Sequence, residues 1–269
     1  MAVPITQCFV QKLPEFPSTF QGDYRIISSS TTSTRNEDPV SALFVDGAAI
    51  LIGMARQLID RVQPHGPISY VPMVEKTHRL GSEADVLRAV VLYLLHPVNM
   101  LLSAGLPQGY QIYCQGEVTA VRSRFDIQWT LKYDNTEVTM AILELKNTKV
   151  VHYQDFAPAF ATPENAATML EDAMDIESGT FLTGNAYWLS KQARKYADTC
   201  DNIAVFDWNA MFIFDFSDVQ EDSRVPRLVK GIYFDESNAT TRREGDGTFR
   251  LVLLGFLMRA FLRVRSTLA

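Results

Sequence analysis

Polar and apolar positions alternate from Arg124 onward: Arg124, Asp126, Gln128 and Thr130 fall on one side of an extended chain, and Phe125, Ile127, Trp129 and Leu131 on the other. That period of two predicts a strand over 124–132. A second strand is predicted over 138–147, with Ile142, Glu144 and Lys146 on one face and Ala141, Leu143 and Leu145 opposite. If Asp134-Asn135-Thr136 forms a three-residue loop between them, opposed residues have numbers summing to 270 and Asp126 lies across from Glu144. Opposed residues have Cβ atoms about 4.5–5.5 Å apart, so two like charges there destabilise the pair unless something positive lies between them.

The flanking patterns predict further elements. Leu80-Gly81-Ser82-Glu83-Ala84-Asp85 opens an apolar helix over 82–96, with Ser82 and Asp85 as an N-cap pair and Pro97 ending or kinking it. Glu83 shares the stripe of Val86, Leu87, Val90 and Leu94, the face expected on the sheet, where a carboxylate needs a partner. Strands are predicted over 110–118 and 203–208, and a helix over 186–199 with Asn185 at its start. In that helix Gln192 and Tyr196 share a face, with Trp188 a turn earlier. Residues 39–62 predict a helix, Glu164–Glu177 an acidic helix inside a 155–184 insertion long enough to act as a lid or a specificity element, and 226–265 a strand and an amphipathic helix. Ser28–Asp38 is polar and of low complexity, so residues 1–38 are expected to be a loosely held arm before a single domain over 39–269.

A divalent cation would reverse the penalty of facing carboxylates. Magnesium takes hard oxygen ligands, often one or two carboxylates with waters and substrate phosphates, and Lys146 aims at the same spot. Asp126 followed by Glu144-Leu145-Lys146 resembles the PD-(D/E)XK nuclease superfamily, although Phe125 stands where that pattern has proline. Gln192 and Tyr196 resemble the Gln-x-x-x-Tyr helix motif of its RecB-like branch, and the general build looks like nuclease-like domains of fungal proteins. The resemblance covers residues 80–216. It implies a restriction-endonuclease-like α/β (mixed α+β) core, a central mixed sheet with an antiparallel three-strand meander flanked by helices. It also implies hydrolysis of phosphodiester bonds, with Mg²⁺ or Mn²⁺ held by Asp126, Glu144, the Leu145 carbonyl and Glu83. Lys146 would position or activate water, Gln192 would hydrogen-bond substrate or a metal-bound water, and Tyr196 would stack on a base or pack beneath the site. The alternatives are a nuclease-fold module that binds nucleic acid or protein without catalysis, and an unrelated α+β protein with a scaffold or small-ligand role, in which the hairpin charges form a solvated outer face.

Charge bears on the ligand. The 269-residue chain carries a net charge of −6 and a pI near 5.3, which disfavours strong nonspecific binding to nucleic acid, because phosphate neutralisation dominates such binding. Positive charge must then be local: Arg122 and Arg124 near the first acid, Lys191, Arg194 and Lys195 on the helix, and Arg259, Arg263 and Arg265 as a separate cluster. DNA is expected over RNA. Cys8, Cys114 and Cys200 show no paired spacing, and His65, His78, His96 and His152 are scattered, which argues against a disulfide framework and a zinc site. The start, Met1-Ala2-Val3-Pro4, has no secretory pattern, and no uninterrupted apolar run reaches membrane-span length. An intracellular protein, nuclear or cytoplasmic, is expected.

Overall fold

The computed structural model describes residues 2–27, 34, 37–63, 66, 68–72, 75, 77–119, 123–218, 228–236 and 247–268. In chain order the elements are β1 (Val3–Pro4), α1 (Thr6–Phe9), β2 (Ala42–Val45), α2 (Ala49–Val62), β3 (Ser69–Tyr70), α3 (Glu83–Val90), a π-helical stretch Val91–Leu95, α4 (His96–Ala104), β4 (Tyr110–Thr119), β5 (Arg124–Tyr133), β6 (Thr136–Leu145), α5 (Tyr153–Phe156), β7 (Phe160–Ala161), α6 (Ala166–Asp175), α7 (Gly184–Ala197), β8 (Asn202–Phe206), β9 (Met211–Asp215), β10 (Leu228–Phe234) and α8 (Phe249–Leu268). One eight-stranded mixed sheet runs β4-β5-β6-β8-β9-β10-β2-β7. The meander β4-β5-β6 is antiparallel, and β8 joins it parallel to β6. The mixed α/β class expected from the pattern is the class observed.

Apolar side chains alternate between two layers because both faces of the sheet are covered. Ala204 and Phe206 pack with α2 and α8, while Ile203 and Val205 pack with Leu189 and Ala193 of α7. Phe125 leaves the layer of Ile127 and Trp129 and meets the Tyr196 ring edge-on at 4.9 Å. The alternation breaks at Asp126, opposite Glu117, whose φ of 51° marks an irregularity in the neighbouring strand.

The hairpin reaches the expected register by a different route. Asp134 and Asn135 form a two-residue turn, so that from Tyr133↔Thr136 to Thr130↔Thr139 the paired numbers sum to 269. A bulge between Trp129 and Thr130 then adds Met140, and from Trp129↔Ala141 to Ile127↔Leu143 they sum to 270. Met140 and Ala141 accordingly enter the same layer. Without the bulge, Asp126 would face Leu143.

Several expectations are corrected. Residues 42–45 are a strand rather than the start of a helix, since the apolar run Val40–Val45 fits a slot between β10 and β7, and α2 begins only at Ala49. Pro97 does not end its helix. His96 N–H reaches Val91 O in the widened π turn, and Tyr93 O, which a proline nitrogen cannot serve, accepts from Arg250 Nε at 2.6 Å. The resulting run Glu83–Ala104 is long and apolar enough to cross a membrane, and here it packs in the core through Val90, Leu94, Val98 and Leu101. Residues 2–27 are no loose arm: Ile5, Phe9 and Leu13 are buried, Arg250 Nη1 binds the Cys8 and Gln11 carbonyls at 2.8 Å, and Thr19 N and Leu80 O meet at 3.0 Å. Most of Ser28–Asp38 lies outside the described residues. The 155–184 segment joins the far edge of the sheet through β7.

Two close contacts test this architecture. Gly255 on α8 lies against the backbone of Leu51 on α2, leaving no room for a β-carbon. Gly255→Ala is expected to cost about 3 kcal/mol or more, read by chemical denaturation. Asp215 sits 3% exposed and accepts two hydrogen bonds from Arg263, at 2.7 and 2.8 Å. Burial alone would raise its pKa, but those bonds, the Arg259 charge and the Ser217 hydroxyl hold it below the ordinary value. A depressed carboxylate stabilises the fold above its unfolded pKa of about 4 and loses that contribution as pH falls through the folded value. Arg263→Gln should therefore cost about 1–2 kcal/mol near neutrality, discounted for the partial exposure of the arginine, with the deficit shrinking below about pH 4. A deficit independent of pH would assign the effect to packing.

Candidate active site

At the end of β6, the register brings Asp126 opposite Glu144, one position past the last ladder pair. Asp126 Oδ2 accepts from Leu145 N–H at 2.8 Å, a bond that ties the start of β5 to the end of β6. Glu144 is 5% exposed, and a carboxylate so buried must be hydrogen-bonded and charge-compensated. Lys146 Nζ donates to its Oε1 at 2.6 Å, and Gln192 Nε2 donates to the same oxygen at 2.6 Å. Tyr196, four residues on along α7, has its hydroxyl 2.9 Å from Glu144 Oε2 and 3.1 Å from Arg124 O, and accepts from Gln192 Nε2 at 2.7 Å. The helical spacing of Gln192 and Tyr196 thus serves one carboxylate.

Electrostatics divides the two acids. Burial, and then the Glu144 charge, push the Asp126 carboxyl up to about 7, against the opposing pull of the Leu145 amide and Lys146. Burial would lower Lys146, but Glu144, Glu83 and Asp126 together outweigh it and raise its pKa, so the amine stays an ammonium. Burial and the Glu144 charge drive the Tyr196 phenol far upward, keeping its proton on the donor.

Of the predicted residues, Asp126, Glu144, Lys146, Gln192 and Tyr196 form this connected cluster. Glu83 does not join by contact. Ser82 and Asp85 form the capping box, and Glu83 is exposed on the first turn, where side chains tilt past the helix end instead of onto the sheet. Its charge still acts on Asp126 and Lys146. Leu145 contributes its amide, and its side chain is buried. Tyr196 packs beneath the site, 4% exposed, and offers no open face for a base. Lys191 is 6% exposed and lies beside the Tyr187 and Trp188 rings, so it is not displayed to a ligand. Lys195 is half-buried, Arg124 is exposed and paired with Glu117 at 3.1 Å, and Arg122 lies outside the described residues. Arg259 and Arg263 are engaged by Asp215, and Arg265 lies over the Tyr110 ring, which takes the tail cluster away from ligand binding.

Sequence reasoning missed what stands beside this cluster. Ser18 Oγ lies 3.2 Å from both Thr148 Oγ1 and Leu80 O, so the N-terminal segment links the end of the Glu-Leu-Lys strand to the residues before Glu83. Asn185 is not a helix cap; Thr183 holds that position. The Asn185 amide instead accepts from Ile27 N and donates to the Arg25 and Val150 carbonyls, at 2.7–2.9 Å. Phe9, Leu13, Phe16 and Phe20 were the available signal, apolar residues too regular for a solvated arm.

Asp126 is a partly buried carboxylate whose charge is not neutralised by its neighbours, while Oδ2 is taken by an amide and Oδ1 carries no hydrogen bond among the described residues. Asp126 and Glu144 place carboxylate oxygens at one strand end, those of Glu144 already bonded to Lys146, Gln192 and Tyr196. Among the described residues no group of three or more His, Cys, Asp or Glu side chains gathers as a metal site. A cavity of about 860 Å³ lies elsewhere, between α1, α2 and the start of α8, and shares no residue with this cluster. The chain matches no family model and no curated protein.

Removing one partner of a buried ion pair leaves the other uncompensated. Lys146→Met is expected to cost about 3 kcal/mol, and adding Glu144→Gln should recover more than half, in a double-mutant cycle followed by denaturation. Additive losses would show that Glu144 does not depend on Lys146.

Proposed function

We propose that the protein is a metal-dependent nuclease of the PD-(D/E)XK type that hydrolyses phosphodiester bonds inside the cell, on DNA more readily than RNA. The observation that carries this reading is the convergence of Asp126, Glu144 and Lys146 at one strand end, with Gln192 and Tyr196 closing on Glu144 from α7. Asp126 and Glu144, with the Leu145 carbonyl, would hold Mg²⁺ or Mn²⁺. When bound, the ion supplies a water of lowered pKa and neutralises charge on the phosphate.

The chain's own residues do the rest. Lys146, held on Glu144 Oε1, places a cation where negative charge develops on phosphate and where it would position or activate the attacking water. Gln192 and Tyr196 lock the Glu144 rotamer, fixing one wall of the site before substrate arrives. Glu83, exposed at the helix start, adds negative field that favours a cation and a positively polarised water. The full engagement of Glu144 by three donors favours a second reading, in which the same site binds without cutting.

Incubation with single- and double-stranded DNA and RNA plus Mg²⁺ or Mn²⁺ separates the two. Cleavage that falls about a hundredfold or more in Asp126→Asn and in Lys146→Gln supports the nuclease. Cleavage indifferent to both would falsify the assignment. Absence of cleavage together with an Mg²⁺-dependent rise in melting temperature that Asp126→Asn abolishes would select the binding module.

A further inference from the structure

The N-terminal segment brings to this end of the sheet a guanidinium that makes no hydrogen bond among the described residues. Arg25 N–H donates to Lys149 O at 2.7 Å, and its carbonyl accepts from Asn185 Nδ2 at 2.7 Å, so its backbone is pinned between the strand end and α7. Its guanidinium lies 4.4 Å from the centroid of the Phe20 ring, and the Phe20 amide is held by Ser18 Oγ, the hydroxyl that meets Thr148. Stacking fixes the plane of the guanidinium without using any of its N–H groups. Among the described residues that side chain has no hydrogen bond and no carboxylate partner, and Nε is buried with none. A positively charged group held in place and left unpaired points to an anion.

The position says which anion. Lys149 is three residues beyond Lys146, at most about 11 Å of chain. Nucleic-acid strands advance about 3.4 Å per nucleotide, so a phosphate within a few nucleotides of the scissile one would reach Arg25. We infer that Arg25, stacked on Phe20 and bonded through its backbone to Lys149, is a phosphate-gripping residue of the site, holding a backbone phosphate within a few nucleotides of the one that is cut. The inference rests on the nuclease reading and extends it to the N-terminal segment. It also gives a −6 chain a local cation that no carboxylate among the described residues pairs with, unlike Arg124, Arg259 and Arg263.

The test is the anisotropy of a short labelled single-stranded DNA bound to the full chain in EDTA across a salt series, with cleavage kinetics in Mg²⁺ and melting temperatures alongside. Arg25→Gln should weaken binding about fivefold to tenfold and flatten the dependence of log K on log salt by about 0.7, the loss of one phosphate contact. It should raise KM with kcat held. Arg25→Lys should keep the salt slope, and Phe20→Leu should weaken binding less than Arg25→Gln does. Unchanged binding and slope in Arg25→Gln, while Asp126→Asn still abolishes cleavage, would overturn this inference and leave the nuclease standing. A lowered melting temperature in Arg25→Gln would also overturn it, by showing the residue to be structural. Wild-type protein that neither binds nor cuts nucleic acid would remove both.

Discussion

The buried carboxylate of Glu144 is the constraint around which this end of the molecule is organised. An ionised group at 5% exposure is tolerated only with compensation, and here a lysine two residues on and two side chains of one helix provide it. The two helical donors, Gln192 and Tyr196, tie α7 to the sheet at this carboxylate. The Tyr196 hydroxyl then reaches Arg124 O, and the Tyr196 ring seats Phe125, so the start of β5 is held by the same group. Asp126 is thereby delivered beside Glu144 with its own charge uncompensated.

Register is the second requirement, and the bulge at Met140 meets it. A two-residue turn alone would present Asp126 to Leu143 and turn the acids to opposite faces, since one residue of slip inverts every side chain of a strand. The extra residue shifts the pairing only beyond Trp129, leaving the turn undisturbed and the acids aligned. Bulges next to functional sites re-aim side chains in this way.

The N-terminal segment changes the boundaries of the site. Through Ser18, Tyr24, Arg25 and Ile27 it is bonded to Thr148, Asp155, Lys149 and Asn185, so it runs alongside the strand end and the start of α7. Its first turns are held by Arg250, which also serves the carbonyl stranded by Pro97. One buried guanidinium therefore lets an apolar helix pass through a proline and anchors the segment that flanks the acids.

The sequence by itself determined the two strands of the hairpin, the Ser82–Asp85 cap and the Gln192–Tyr196 face, because period two, capping chemistry and i,i+4 spacing are local properties of the chain. It did not determine whether 42–45 would be strand or helix, since a short apolar run fits either and only the slot between β10 and β7 decides. Nor did it distinguish Tyr196 as a stacking face from Tyr196 as a buried donor, or Glu83 as a contact from Glu83 as an exposed charge. The bulge, the binding of residues 2–27 and the pairing of Arg259 and Arg263 with Asp215 all join positions far apart in the chain. Only tertiary structure decides them, because burial and charge compensation depend on which distant groups are brought together.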